Sequence, residues 1–147
     1  MTENQVINGV ENYLLQKGKT ENKRVVSHSD AERKEHGIDI HVKLGDNRYY
    51  IEAKGSVKSD GSRMLSAFDT NFRWAISQIV LRMTTDPTNY ANVYGIAVPD
   101  DKIPRCKKMI QNNKGLSLLK LRLFGAFIND DGVPFANEYL PKDIYRI

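Results

Sequence analysis

Apolar and polar residues alternate along Gly37-Ile38-Asp39-Ile40-His41 and again along Tyr49-Tyr50-Ile51-Glu52-Ala53-Lys54-Gly55. Because side chains of a strand point alternately to its two faces, this pattern predicts two strands, each with one apolar and one polar face. The polar faces carry Asp39, Glu52 and Lys54. Acidic residues are disfavoured in strands, so the trio indicates a functional site. The alternative is an exposed strand face with a surface ion pair, which contributes about 0–1 kcal/mol.

The residues between the two stretches, Gly45-Asp46-Asn47-Arg48, are typical of a turn. A hairpin centred between Asp46 and Asn47 would pair apolar with apolar residues and would set Asp39 opposite Lys54. Asp39 would then lie diagonal to Glu52, with about 7–8 Å between their backbones, and two carboxylates at that separation can reach one metal ion. A slip of one residue would turn polar side chains into the core, so we expect this register.

The same residues resemble the PD-(D/E)xK nuclease superfamily, which includes restriction endonucleases, Mrr-like enzymes and Holliday-junction resolvases. Asp39 matches the first acid of its motif, Glu52-Ala53-Lys54 matches the E-x-K element, and Ile38 stands where the motif has proline. The resemblance implies an endonuclease that hydrolyses DNA phosphodiester bonds with Mg²⁺ or Mn²⁺. It assigns the metal to Asp39, Glu52 and the Ala53 carbonyl, and it gives Lys54 the role of orienting or activating the attacking water.

Two helices carry further candidates that the resemblance implies. The superfamily uses a glutamate in its first helix, for which Glu11 is the candidate metal ligand, and often a catalytic glutamine after the E-x-K strand, which Gln78 matches. Arg82 lies one helical turn beyond Gln78, where one version of the motif has tyrosine, and is a candidate phosphate contact. The alternative for each of the three is an ordinary exposed helix residue.

Hydrophobic periodicity predicts the rest of the secondary structure. We expect helices over residues 5–17, 68–84 and 103–113, with Gly18 ending the first and Gly115 the third. Further strands should cover residues 24–28 and 93–98, and a final strand or pair of strands should cover residues 119–128. Residues 130–132 should form a turn. The order predicts one α/β domain over residues 1–147, a three-layer sandwich with a mixed central β-sheet. It also matches the restriction-endonuclease-like αβββαβ core of the superfamily.

The charge of the chain is unevenly distributed. The net charge is +4, and the stretch from Lys102 to Arg122 contains basic residues without any Asp or Glu. Such a stretch attracts polyanions, so Lys107 and Lys108 are candidate nucleic-acid contacts, with DNA the expected partner and RNA not excluded. The alternative is a solvated helix face.

The cellular setting also follows from composition. A single cysteine, Cys106, excludes an internal disulfide and a cysteine-rich zinc site, and it suggests a reducing compartment. No run approaches the ~20 apolar residues of a membrane helix, and residues 1–5 lack the features of a signal peptide. We therefore expect a cytoplasmic protein without membrane contact. A homodimer would supply two centres for cutting both strands of DNA. The rival interpretation is a catalytically silent nucleic-acid-binding module or a subunit of a defence or repair complex.

Overall fold

The structure, a computed structural model, describes residues 1–27, 38–83 and 91–146. Among these residues six strands form one sheet in sequence order, and its three central strands run parallel while the outer pairs are antiparallel. The predicted α/β class with a mixed sheet is therefore confirmed. The strands are β1 (Val25–Ser27), β2 (Ile40–Leu44), β3 (Asn47–Ala53), β4 (Asn92–Pro99), β5 (Arg122–Ile128) and β6 (Pro134–Tyr139). The helices are α1 (Glu3–Thr20), α2 (Phe68–Arg82), α3 (Ile103–Ile110), α4 (Lys114–Leu118) and α5 (Pro141–Ile144), with a 3₁₀ turn over Asp100–Lys102.

The described residues form two hydrophobic cores, one built with α1 and the other with α2 and α3. The α1 core takes Val6, Val10 and Leu14 from that helix, together with residues of every strand from β2 to β6. The second core contains the buried faces of α2 and α3. Strand β4 contributes to both cores by strict alternation, which explains why its sequence is continuously apolar. Its residues Val93 and Ala97 join the α1 core, and Tyr94, Ile96 and Val98 join the other.

Helix α1 is longer at both ends than the sequence predicts. Thr2 caps it through a capping box with Gln5, so that Glu3 is the first helical residue. Gly18 does not end the helix, which continues to Thr20, and that prediction is wrong. A Cβ at Gly18 would clash with the Val25 side chain. The glycine therefore allows β1 to pack closely against the helix.

The hairpin between β2 and β3 has a different register from the predicted one. Ile40 pairs with Ile51 and Leu44 pairs with Asn47, so the turn contains only Gly45 and Asp46. Gly45 has a φ of +59°, a conformation that favours glycine and a two-residue turn. The shift is two residues, which keeps every side chain on its predicted face. Hydrophobic alternation therefore could not distinguish the two registers.

The second half of the chain contains more elements than predicted. The helix expected over residues 103–113 is observed as α3, which ends at Ile110, and Gly115, which was expected to end it, lies inside a further short helix, α4. The strand expected over residues 119–128 begins at Arg122, after Lys120 adopts a positive φ of 56°. Gly132 adopts a positive φ of 76° in the predicted turn, but the strand β6 that follows was not predicted.

Some predictions concern residues beyond the described ranges. The strand over residues 24–28 is observed as Val25–Ser27, and the helix over residues 68–84 as Phe68–Arg82. His28, Gly37 and Thr84 lie outside the described residues. Within the described part of the chain, no helix has the length and apolar character needed to cross a membrane.

Candidate active site

Two carboxylates meet at the edge of the sheet where β3 ends. Continuing the β2–β3 register by one residue sets Asp39 opposite Glu52, not opposite Lys54 as predicted. Asp39 is fixed there because its Oδ2 accepts a hydrogen bond from the Ala53 backbone N–H at 2.9 Å. A hydrogen bond also joins the Asp39 and Glu52 side chains. The corrected register therefore brings the two predicted acids closer together than the sequence suggested.

Glu52 is one of the few polar side chains buried in the described residues, with 3% of its surface exposed. Burial, followed by the charge of Asp39 and the hydrogen bond to it, raises the pKa of Glu52 to about 8. Lys54 opposes this rise without cancelling it. Two acids this close cannot both ionise easily, so at neutral pH a proton remains on Glu52 and is donated to Asp39. A cation bound between them could replace that proton.

A third carboxylate reaches this pair from α1. Glu3 hydrogen-bonds to Asp39, and burial and the Asp39 charge raise the pKa of Glu3 even though much of the residue remains exposed. The approach depends on Gly55, because a Cβ at that position would lie 2.5 Å from the Glu3 nitrogen. Sequence reasoning missed Glu3. The signal was Thr2 followed three residues later by Gln5, a capping box that marks the helix start.

Lys54 directly follows β3 and is half-buried. Its backbone N–H donates to the Ala97 carbonyl at 2.9 Å, which extends the pairing with β4 by one residue. Because strand side chains alternate, its ammonium shares the face of Glu52, and its charge acts on both Glu52 and Glu3. The predicted grouping of Asp39, Glu52 and Lys54 is thus observed in the structure.

The donor chemistry of this cluster suits a hard divalent cation, since carboxylate oxygens are the ligands that Mg²⁺ and Mn²⁺ prefer. The positions of these carboxylates, in contrast, are not those of a formed metal site. Within residues 1–27, 38–83 and 91–146, no group of three or more His, Cys, Asp or Glu side chains has the arrangement of a metal site. Because Glu52 holds a proton and both Glu3 and Glu52 hydrogen-bond to Asp39, metal binding here would require proton release.

The other candidates from the sequence lie further along two helices, α1 and α2. Glu11 is eight residues beyond Glu3 on α1, which corresponds to about 12 Å along the helix axis. On α2, Gln78 and Arg82 are exposed. This helix starts beside the end of β3 and returns towards the opposite end of the sheet, and Gln78 lies about 15 Å along it from Phe68.

Asn71, in the first turn of α2, is a buried amide. It is 6% exposed, and its Nδ2 has no hydrogen-bond partner in the described structure. Such a group is unusual in a native fold and often marks a functional position. The sequence offered one weak signal, an asparagine four residues before Ala75 on the apolar face of the helix.

The basic stretch from Lys102 to Arg122 is less available to a polyanion than its sequence suggests. Arg105 binds Asp69 through its Nε at 3.2 Å and its Nη2 at 2.5 Å, and Arg122 contacts Glu138 at 3.0 Å. Two lysines lie over aromatic rings, Lys102 at 5.4 Å from the Phe68 centroid and Lys107 at 4.5 Å from that of Tyr139. Lys108 is exposed, as is Lys114.

Comparison with known proteins identified no protein similar to this chain. No protein-family model, curated protein or solved structure matches the chain. The site must therefore be interpreted from its own geometry and charge.

Proposed function

We propose that this chain is a Mg²⁺- or Mn²⁺-dependent endonuclease that hydrolyses DNA phosphodiester bonds. The observation that supports this proposal most is the contact between Asp39 and Glu52 at the sheet edge, with Lys54 on the same face. A pair of acids beside one lysine is a costly arrangement for a fold to keep buried, and such perturbed groups concentrate at functional sites. We also propose that its fold contains the restriction-endonuclease-like αβββαβ core of the PD-(D/E)xK superfamily.

Asp39, Glu52 and the Ala53 carbonyl would hold the cation, with Glu3 in reach of the same position in place of Glu11. A bound divalent cation would supply Lewis-acid polarisation of the phosphate and a more acidic water. The chain itself contributes the orientation of the ligands, since the Ala53 N–H fixes Asp39. Lys54 would donate to the attacking water or to the phosphate oxygens, whose negative charge grows in the transition state.

Proton release provides a test of metal binding that does not depend on cleavage. Because the pKa of Glu52 is raised to about 8, most of the protein carries this proton at pH 7, and a bound cation must displace it. Calorimetry with Mn²⁺ in buffers of different ionisation enthalpy should show release of about one proton per site at pH 7 and less at pH 9. Binding without proton release, or equal binding by Asp39→Asn, would remove this pair from the metal site.

Cleavage is tested with plasmid, linear and branched DNA and with RNA, each with Mg²⁺, with Mn²⁺ and with chelator. The wild type should cut in the presence of metal, and Asp39→Asn should lose cleavage while Asp46→Asn keeps it. Asp46 is a matched control because it lies at the exposed tip of the same hairpin. Double-strand cutting should require two copies of the chain, since each copy holds one centre.

The second candidate function is a catalytically silent nucleic-acid-binding module, or a subunit of a defence or repair complex. The absence of a ready group of three metal-ligating side chains in the described residues favours it. A wild type that binds DNA in a salt-dependent manner but cuts nothing with any metal would support this function over the first. A cytoplasmic location suits both functions, because the thiol of Cys106 is buried and needs no oxidising compartment.

A further inference from the structure

The connection between β3 and α2, residues 56–67, begins beside Lys54 and is fixed at its base. The backbone N–H groups of Ser56 and Val57 both donate to the Met1 carbonyl, at 2.9 and 3.3 Å. Val57 also forms a β-bridge with Arg63, which closes the loop into a small hairpin. We call residues 56–67 the site loop. Its base cannot move far from the carboxylates without breaking these contacts.

The tip of the site loop is ordered by its own hydrogen bonds. The Lys58 N–H donates to the Ser62 carbonyl at 2.8 Å, and Gly61 supplies the positive φ of 84° that the turn needs. Asp60 accepts from the Ser62 N–H and hydroxyl, at 2.9 and 2.6 Å. The acid of the loop is therefore engaged locally, while Arg63 extends from the same hairpin and is exposed.

A cavity of about 440 Å³ lies between the site loop and the start of α2. Its volume is within the range of about 300–1,000 Å³ that is usual for small-molecule sites. Its wall combines a guanidinium, hydroxyl groups and apolar side chains, and Leu65 at its rim is 92% exposed. The lining residues are Gly55, Ser56, Arg63, Met64, Leu65, Ser66, Ala67 and Phe68.

We propose that this cavity receives one unstacked nucleotide of the strand that is cut, next to the scissile phosphate. The inference rests on the proposed function, because it assumes that a nucleic acid lies across Asp39 and Glu52. Arg63 would contact the phosphate of that nucleotide, and Phe68 and Met64 would line its base. Leu65 would act as the wedge that keeps the neighbouring base step open, as apolar side chains do in proteins that unstack DNA.

The proposal specifies the substrate class. Extruding a base from a duplex costs stacking and pairing energy, and this cost is smallest where a base is already unpaired. A site with a nucleotide cavity beside the cut should therefore prefer bulged, gapped or branched DNA, or single strands, over a continuous duplex. A single exposed leucine has no such implication by itself. Here the leucine follows the hairpin closed by Val57 and Arg63, and it lines a cavity that also includes Gly55, the residue after Lys54.

The test is a binding experiment in chelator, where cleavage cannot occur. Fluorescence anisotropy compares a duplex carrying one unpaired nucleotide with the fully paired duplex of the same length. The wild type should prefer the unpaired form by about 10-fold, a size typical of one base stack on an aromatic ring. Leu65→Ser and Arg63→Gln should each reduce this preference to about 3-fold or less.

Two control variants match these changes away from the cavity. Leu118→Ser alters a leucine that is 82% exposed on α4, and Arg48→Gln alters an exposed arginine at the other end of β3. Both should keep the wild-type preference. A wild type without preference, or a preference that survives Leu65→Ser and Arg63→Gln, would overturn the nucleotide cavity even if the protein cuts DNA. A preference that follows the predicted pattern in a protein that cuts nothing would support the cavity and reject the nuclease.

Discussion

Glu52 and Glu138 both have buried side chains in the described structure, but their surroundings differ in kind. Glu138 accepts a hydrogen bond from the Tyr13 hydroxyl at 2.9 Å and one from Arg122 at 3.0 Å. Glu52 instead faces the carboxyl of Asp39 and keeps a proton. Buried charges that serve stability are paired, whereas an acid held against another acid weakens the fold. The difference suggests that Glu138 holds β5, β6 and α1 together and that Glu52 is kept for a ligand.

The largest expected effect is a loss of cleavage without a loss of stability, and it concerns Lys54 beside Glu52. Lys54→Ala should keep the melting temperature and DNA affinity but lose cleavage by about 10²-fold or more, the scale of one lost transition-state donor. Lys54→Arg should restore only part of the rate, because a planar guanidinium differs from a compact ammonium. Single-turnover cleavage and thermal melting measure the two properties. Lys43→Ala, an exposed lysine on β2, is the control, and wild-type cleavage by Lys54→Ala would contradict the proposed mechanism.

Glu138 should show the opposite behaviour. Glu138→Gln removes the charge that compensates Arg122 in a partly buried position, and we expect a loss of about 2 kcal/mol in the free energy of unfolding. Denaturant unfolding measures it, and DNA cleavage at temperatures well below the transition should be unchanged. Glu21→Gln offers a control, since Glu21 binds Lys17 at 3.2 Å at the exposed end of α1. If Glu138→Gln were as stable as the control, the contrast between the two glutamates would be wrong.

The pH dependence of stability should show whether the folded protein keeps a proton on Glu52. The pKa of Glu52 is raised from 4.5 to about 8, so the folded state binds this proton more tightly than the unfolded chain does. Its contribution to stability is therefore greatest at low pH and is lost as the pH rises between these values, with a slope of at most about 1.4 kcal/mol per pH unit. Glu52→Gln should remove this slope. Unfolding curves from pH 5 to pH 9 that are parallel for both proteins would exclude a raised pKa.

The smallest expected effect concerns two neighbouring lysines on α3. Lys108 is exposed, whereas Lys107 lies over the Tyr139 ring. Lys108→Ala should therefore reduce the slope of log affinity against log salt for DNA by up to about one unit, and Lys107→Ala should reduce it less. Titrations at several salt concentrations measure both slopes, with Lys142→Ala on α5 as a control. Equal slopes for all four proteins would assign these lysines to plain solvated surface.

Sequence reasoning succeeded where a local pattern has one physical meaning. The alternation around Asp39 and Glu52 fixed their common face, and the continuous apolar run of β4 indicated a strand covered on both sides. It failed where two arrangements satisfy the same pattern. Registers that differ by two residues keep all faces unchanged, and only the tight turn at Gly45 distinguishes them.

Other errors arose because tertiary contacts are not visible in a sequence. Gly18 looked like a helix end, but it is needed where Val25 approaches the helix. Glu3 was missed because its approach to Asp39 depends on how the start of α1 packs against Gly55. The basic stretch was judged by its sequence alone, and pairing with distant acids such as Asp69 could not be foreseen.

The close approach at Gly55 links the site to the order in which the chain folds. Glu3 reaches Asp39 only when the start of α1 packs against the segment after β3, and the contacting residues Met1 and Ser56 are 55 positions apart. Contacts between such distant positions form late, because a long loop must close first. A newly synthesised or partly unfolded chain would carry all the acidic residues without their assembled cluster. Any cleavage by this protein should therefore measure the fraction of molecules that have completed folding.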